Sequence, residues 1–149
     1  MLSACLPRAR KMHQRSRSNA DTGERRTQNR VNAKFRDIVS KLRRNVAQIQ
    51  AVMLVGPHGL VDHVADDPAL NLETIAEEYA TLLRIARSAL EDSEAGSLVE
   101  NVLVSEQSVV IARSVSPDHY LILLSGAQDQ IGRARYELKQ AAWEISNSG

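Results

Sequence analysis

Beyond residue 30 the apolar positions fall into runs whose period changes in a definite order. Phe35, Ile38, Val39, Leu42, Val46 and Ile49 recur three or four apart, with Lys41, Arg43, Arg44 and Asn45 between them. That spacing puts one stripe of a helix against a core, and it predicts an amphipathic helix from Asn32 to about Gln48 with a basic outer face. Ala51 to Val55 is a compact apolar run, Gly56-Pro57-His58-Gly59 supplies turn chemistry, and Leu60 to Ala65 is a second run in which Asp62 and His63 face outward in part. Together they predict a β-hairpin.

Asp66-Asp67-Pro68 breaks the strand, and Asn71 stands as a helix cap before Leu72, with Glu73 in the first turn where the helix dipole favours an acid. A long helix is predicted from there to about Asp92. Leu72, Ile75, Ala76, Tyr79, Leu82, Leu83, Ala86 and Leu90 fall on one face of it and are expected to pack on a sheet, and Gly96 closes it. Leu98 to Ser105, Ser108 to Val115 and Tyr120 to Ser125 read as three strands separated by Glu106-Gln107 and Ser116-Pro117-Asp118-His119, connections so short that the strands must be antiparallel neighbours. Asp129 to Ser146 is the last helix, with Ile131, Ala134, Leu138, Ala141, Ala142 and Ile145 on one side. The order is α-β-β-α-β-β-β-α, and the economical arrangement is an α+β fold in which helices sandwich a five-stranded antiparallel sheet.

Composition divides the chain into two electrostatic bodies. It has 149 residues, 43% of them hydrophobic and 25% charged, which suits one globular domain. Residues 1–30 carry eight Lys/Arg against two Asp/Glu, net +6, whereas residues 31–149 carry eleven against sixteen, net −5. The first segment has no aromatic residue and few large aliphatic ones, so it reads as a disordered basic tail, followed by a domain over 31–146 and a flexible end at 147–149. A solvated tail is its simplest reading; contact with nucleic acid or an anionic membrane is the sharper one. No apolar stretch follows the tail's basic residues, which argues against a secretory signal, and Asp21 and Glu24 weaken a transit-peptide reading. Met12 is an alternative start. No run is long enough to span a membrane, and the single cysteine, Cys5, allows no intramolecular disulfide and suits a reducing, cytoplasmic home.

No constellation of catalytic or ligating side chains stands out. His58, His63 and His119 lack metal-ligand spacing, so neither a metal nor a cofactor is expected. Ser125-Gly126 before a helix has no following Lys and Ser/Thr to hold phosphate, and Asp66-Asp67 and Glu77-Glu78 are better explained by capping and solvation than by acid/base work. Gly56-Pro57-His58-Gly59 formally fits the GxxG loop of RNA-binding KH domains, but that loop joins two helices, whereas strands flank this one, and the folded part is net acidic.

Several segments together resemble a known family. The element order, the strand leading into Gly56-Pro57-His58-Gly59-Leu60, the long helix from Leu72, and the opening of the last helix are similar to roadblock-type dynein light-chain domains, over about residues 33 to 146. The family's last helix reads approximately Asn-Leu-Gly-Leu-Val-Arg-x-Glu-Leu. Gln130-Ile131-Gly132-Arg133-Ala134-Arg135-Tyr136-Glu137-Leu138 agrees at Ile131, Gly132, Arg135, Glu137 and Leu138, and departs at Gln130 and Arg133. The resemblance implies a non-enzymatic homodimer whose central helices pair antiparallel and whose sheets join edge to edge. Prokaryotic members of the Mgl type bind small Ras-like GTPases and can activate their hydrolysis, while others are scaffold or light-chain subunits. No catalytic residue carries over. Opposite the apolar face of the central helix, Thr74, Thr81 and Ser88 are spaced by seven beside Glu78 and Ile85, and these five are the expected self-association or GTPase-docking surface.

Overall fold

A computed structural model describes residues 33–147. The basic tail of residues 1–30 and the last two positions of the 147–149 end lie outside the described residues, and the unit that carries the fold begins at Phe35. Helix α1 is described over residues 33–45. It stops three residues before the expected Gln48, because Val46 and Ala47 turn and Gln48 takes a left-handed φ of 56° that swings the chain into β1. β1 (Ile49–Gly56) and β2 (Gly59–Ala65) form the expected hairpin, and Gly59, at φ 111°, supplies a conformation its turn needs and side chains resist.

α2 runs Leu72–Asp92, as the spacing predicts, and Asn71 caps it by accepting from the Thr74 backbone N–H at 3.2 Å. Its end differs in detail: Glu94 takes a left-handed φ of 56°, two residues before Gly96 does the same at 93°. β3 is Glu100–Val104, shorter at both ends than the apolar run, because Leu98 buries against the α2 side of the sheet ahead of the strand. β4 (Val109–Ser116) and β5 (His119–Ser125) follow, then a single 3₁₀ turn, Gln128–Gln130, leads into α3 (Ile131–Ser146).

All five strands join one antiparallel sheet in the order β2-β1-β5-β4-β3, which leaves β2 and β3 at the edges. β1 and β5 lie inside it with both faces covered, which is why they read as continuous apolar runs rather than alternating ones. Val52, Leu54, Ile111, Leu121 and Leu123 point to one face, where α1 contributes Phe35, Ile38 and Leu42 and α3 contributes Ala134, Leu138 and Ala142. Ala51, Met53, Val55, Ala112 and Ile122 point to the other, where Leu72, Ala76 and Leu83 of α2 meet them. Among the described residues two helices therefore lie on one face and one on the other. Polar ties lock α1 to α3: Lys41 Nζ lies 3.3 Å from Glu144, the Asn45 amide donates to Glu137 at 3.4 Å, and Arg133 Nε donates to the Asn45 carbonyl.

Candidate functional site: the open side of the central helix

A single helix cannot cover a five-stranded face. α2 lies over β2 and β1, and its C-terminal half reaches Tyr120 and the β4–β5 turn. Among the described residues no helix lies over the remaining part of that face, toward β3. Between it and α2 opens an apolar groove of about 320 Å³ lined by Ile75, Glu78, Tyr79 and Leu82 on the helix and by Met53 and Leu124 on the sheet. The strand register carries its floor to the edge, since Leu124 pairs with Val110 and Val110 with Leu103 of β3. Leu103 is 38% exposed, Leu82 37% and Ile85 66%, and Val99, just ahead of β3, is exposed as well, whereas the exposed Val104 pairs with Val109 and belongs to the opposite face. Exposed apolar side chains thus cluster beside an edge strand whose outer backbone groups have no strand partner among the described residues.

The five residues expected from the sequence at this surface are all exposed on α2, and they divide into two sets. Glu78 lines the groove, and Ile85 continues the ridge of Ile75, Leu82 and Ala89 that flanks it at helical spacing. Thr74, Thr81 and Ser88 lie farther round the helix, and the Thr81 hydroxyl donates back to the Glu77 carbonyl at 3.0 Å. The helical period alone places Ile75, Tyr79 and Leu82 against the sheet and does not show that they wall a groove. A signal was present: from Ile85 round to Ala76 the apolar arc covers roughly half the circumference, more than one sheet contact fills.

The electrostatics of the groove are mild. Burial pushes the Tyr79 phenol above its ordinary pKa, and the neighbouring Glu78 carboxylate adds to the effect. Tyr120, beside the C-terminal half of α2, is raised by burial as well, with Arg87 opposing and Asp118 and Glu91 adding. The other polar motifs hold the fold. Gly56 to Gly59 closes a strand hairpin, Asp66 pairs with Arg43 at 2.6 Å, and Asp67 accepts from the Ala69 N–H at 2.8 Å. Ser125 Oγ donates to the Ala47 carbonyl and accepts from the Ala127 N–H, both at 3.1 Å, tying β5 to the α1–β1 turn. His119 Nδ1 lies 3.0 Å from Ser116 Oγ, while His58 and His63 are exposed elsewhere. Among the described residues no group of His, Cys, Asp or Glu side chains is placed to share a metal ion, and no helix is long and apolar enough to cross a membrane.

No protein-family profile matches the chain, and no curated protein does. Solved structures do. MglC from Myxococcus xanthus is 30% identical, with 78% of this chain and 99% of MglC covered and a TM-score of 0.55. An MglB solved in a tetrameric arrangement is 14% identical, covering 78% of this chain and 88% of that one, at a TM-score of 0.71. A Roadblock/LC7 domain from Streptomyces avermitilis is 20% identical over 73% of this chain and 92% of its own, at 0.63.

Proposed function

The chain belongs to the roadblock family, and from that premise we propose that it is a regulatory homodimer that binds a small Ras-like GTPase and modulates its nucleotide cycle. The observation that carries the reading is the half-covered sheet face. An apolar groove beside an edge strand that is unpaired among the described residues is what a second copy of the same chain fills, its α2 entering the groove and its β3 extending the sheet. Glu78 and Ile85, with Leu82 and Tyr79, form the seam in this arrangement, and Thr74, Thr81 and Ser88 remain outside it as the docking surface for the GTPase. The tetrameric arrangement of one MglB supports self-association as a habit of the fold. The GTPase rests on the family resemblance, and the nucleotide belongs to that partner, since the sequence has no phosphate-holding loop of its own. We place the protein in the cytoplasm, as an adaptor rather than an enzyme.

Light scattering on the full chain, alone and then mixed with a Ras-like GTPase loaded with GDP or a GTP analogue, tests both halves. A species of twice 16.5 kDa that becomes heavier only with the GTP form is expected, and a hydrolysis assay then gives the sign of the effect. A monomer at all concentrations overturns the proposal. A dimer that binds neither form keeps the assembly and makes the protein a scaffold.

A further inference from the structure

On the sheet face away from the groove, α3 has two unlike flanks. Glu137 and Glu144 turn toward α1, where they meet Asn45 and Lys41. The other flank, beside β4 and the β3 edge, bears Arg135, Tyr136, Lys139 and Trp143. Tyr136 is 60% exposed and Trp143 65%, and a separation of seven residues, two helical turns, places them on one stripe. They are two of only five aromatic residues in the chain, and Trp143 is its single tryptophan. Beside them lies a shallow hollow of about 420 Å³ between α3 and β4, lined in part by Arg113, Ser114, Lys139 and Trp143.

The net charge on this strip is positive. Arg113 and Arg135 share the Glu100 carboxylate, Arg113 at 3.0 Å and Arg135 through its Nε, so the three groups together keep one positive charge. Lys139 adds a second, with no ion-pair partner among the described residues. The chain beyond residue 30 is net −5, so the strip opposes the sign of the body that carries it. Trp, Tyr and Arg are the side chains that most often anchor protein interfaces, and large rigid rings bury much area at little entropic cost.

We propose that this strip is a docking site for an acidic segment of a partner protein, with Trp143 and Tyr136 packing on an apolar anchor and Lys139 and the Glu100-bridged arginines meeting its carboxylates. The inference rests on the fold and not on the GTPase reading. The strip and the α2 groove lie on opposite faces of the sheet, so an occupant of the groove does not cover the strip. A nucleic acid is the poorer occupant, because a phosphate backbone is held by many cations and this strip has one unpaired lysine. A second copy presenting the same strip would set Lys139 against like charge.

Trp143 emission reads the site directly, since no other tryptophan contributes. The probe is a tryptophan-free peptide of repeated Glu-Glu-Leu-Phe units, titrated into the full chain beside a counterpart with Gln at every Glu. A saturable change in emission with the Glu peptide is expected, with binding at least about tenfold weaker for the Gln peptide and for Lys139→Glu. Lys139 is exposed, and an unchanged far-UV circular dichroism spectrum and mass establish that the variant keeps its fold and assembly. Absence of a saturable change, equal binding of the two peptides, or indifference to Lys139→Glu overturns the proposal. Emission that shifts with protein concentration alone assigns the strip to a second copy, and a single-stranded oligonucleotide that outcompetes the Glu peptide assigns it to nucleic acid; either result also overturns it.

Discussion

Tyr79 and Tyr120 couple the stability of the fold to alkaline pH. Both phenols lie above their ordinary pKa of about 10, chiefly because burial penalises the tyrosinate, so the folded state holds their protons more tightly than the unfolded chain does. Their contribution is complete below pH 10 and is lost as the pH rises through the raised values. The urea midpoint of unfolding is therefore expected to fall above pH 10, and to fall less steeply in the double variant Tyr79→Phe, Tyr120→Phe; equal slopes would refute the coupling. The helical period places Tyr79 on an apolar face of α2, whereas its neighbours on the sheet are set by the fold. Gly56 shows the same limit. Its turn chemistry is local and legible, whereas a Cβ there would come within 3.0 Å of the His119 ring and 3.1 Å of Val61, a constraint that arises only when β1, β2 and β5 meet.

Among the elements, α2 is the one whose bounds were most fully written in the sequence. Asn71 marks its start and the apolar stripe runs unbroken to Leu90, so period and cap agree. Replacing the cap by Asn71→Ala removes the acceptor of the Thr74 N–H and is expected to cost about 1 kcal/mol, read as a lower urea midpoint with an unchanged slope. Where local signals and packing disagree, packing prevails. Leu98 belongs to an apolar run that reads as strand, yet it buries beneath α2 and leaves β3 to begin at Glu100. Asp129 looks like the start of the last helix, but it lies in the 3₁₀ turn, and the α-helical ladder begins at Ile131. α1 continues its stripe through Val46 and Ile49, and both are buried, but Ile49 reaches the core as the first residue of β1.

At the scale of the molecule, the decisive feature is the part of the sheet that α2 does not reach. If a second copy fills it, a charge placed in the groove must disrupt assembly while leaving the monomer folded. Leu82→Glu and Ile85→Glu are expected to give monomers by light scattering, because each side chain is already partly or mostly exposed in the single chain. Thr81→Glu, farther round α2, is expected to leave the dimer intact and to weaken the GTPase complex. The opposite pattern, a monomer from Thr81→Glu and a dimer from Leu82→Glu, would move the seam to the threonine side.

The sequence by itself determined the element order, the antiparallel hairpins, the apolar runs that become strands, and the family. These follow from period, turn chemistry and connection length, which act over a few residues and survive any change of distant context. Only the tertiary structure decided that Leu82 and Tyr79 wall a groove, that β3 rather than β4 stands at the edge, and that Glu100 on β3 gathers Arg113 from β4 and Arg135 from α3. A helix period states which residues are apolar, not how much surface lies opposite them. That surface is set by strand order and register across distant segments, and the side of α2 left uncovered is the result.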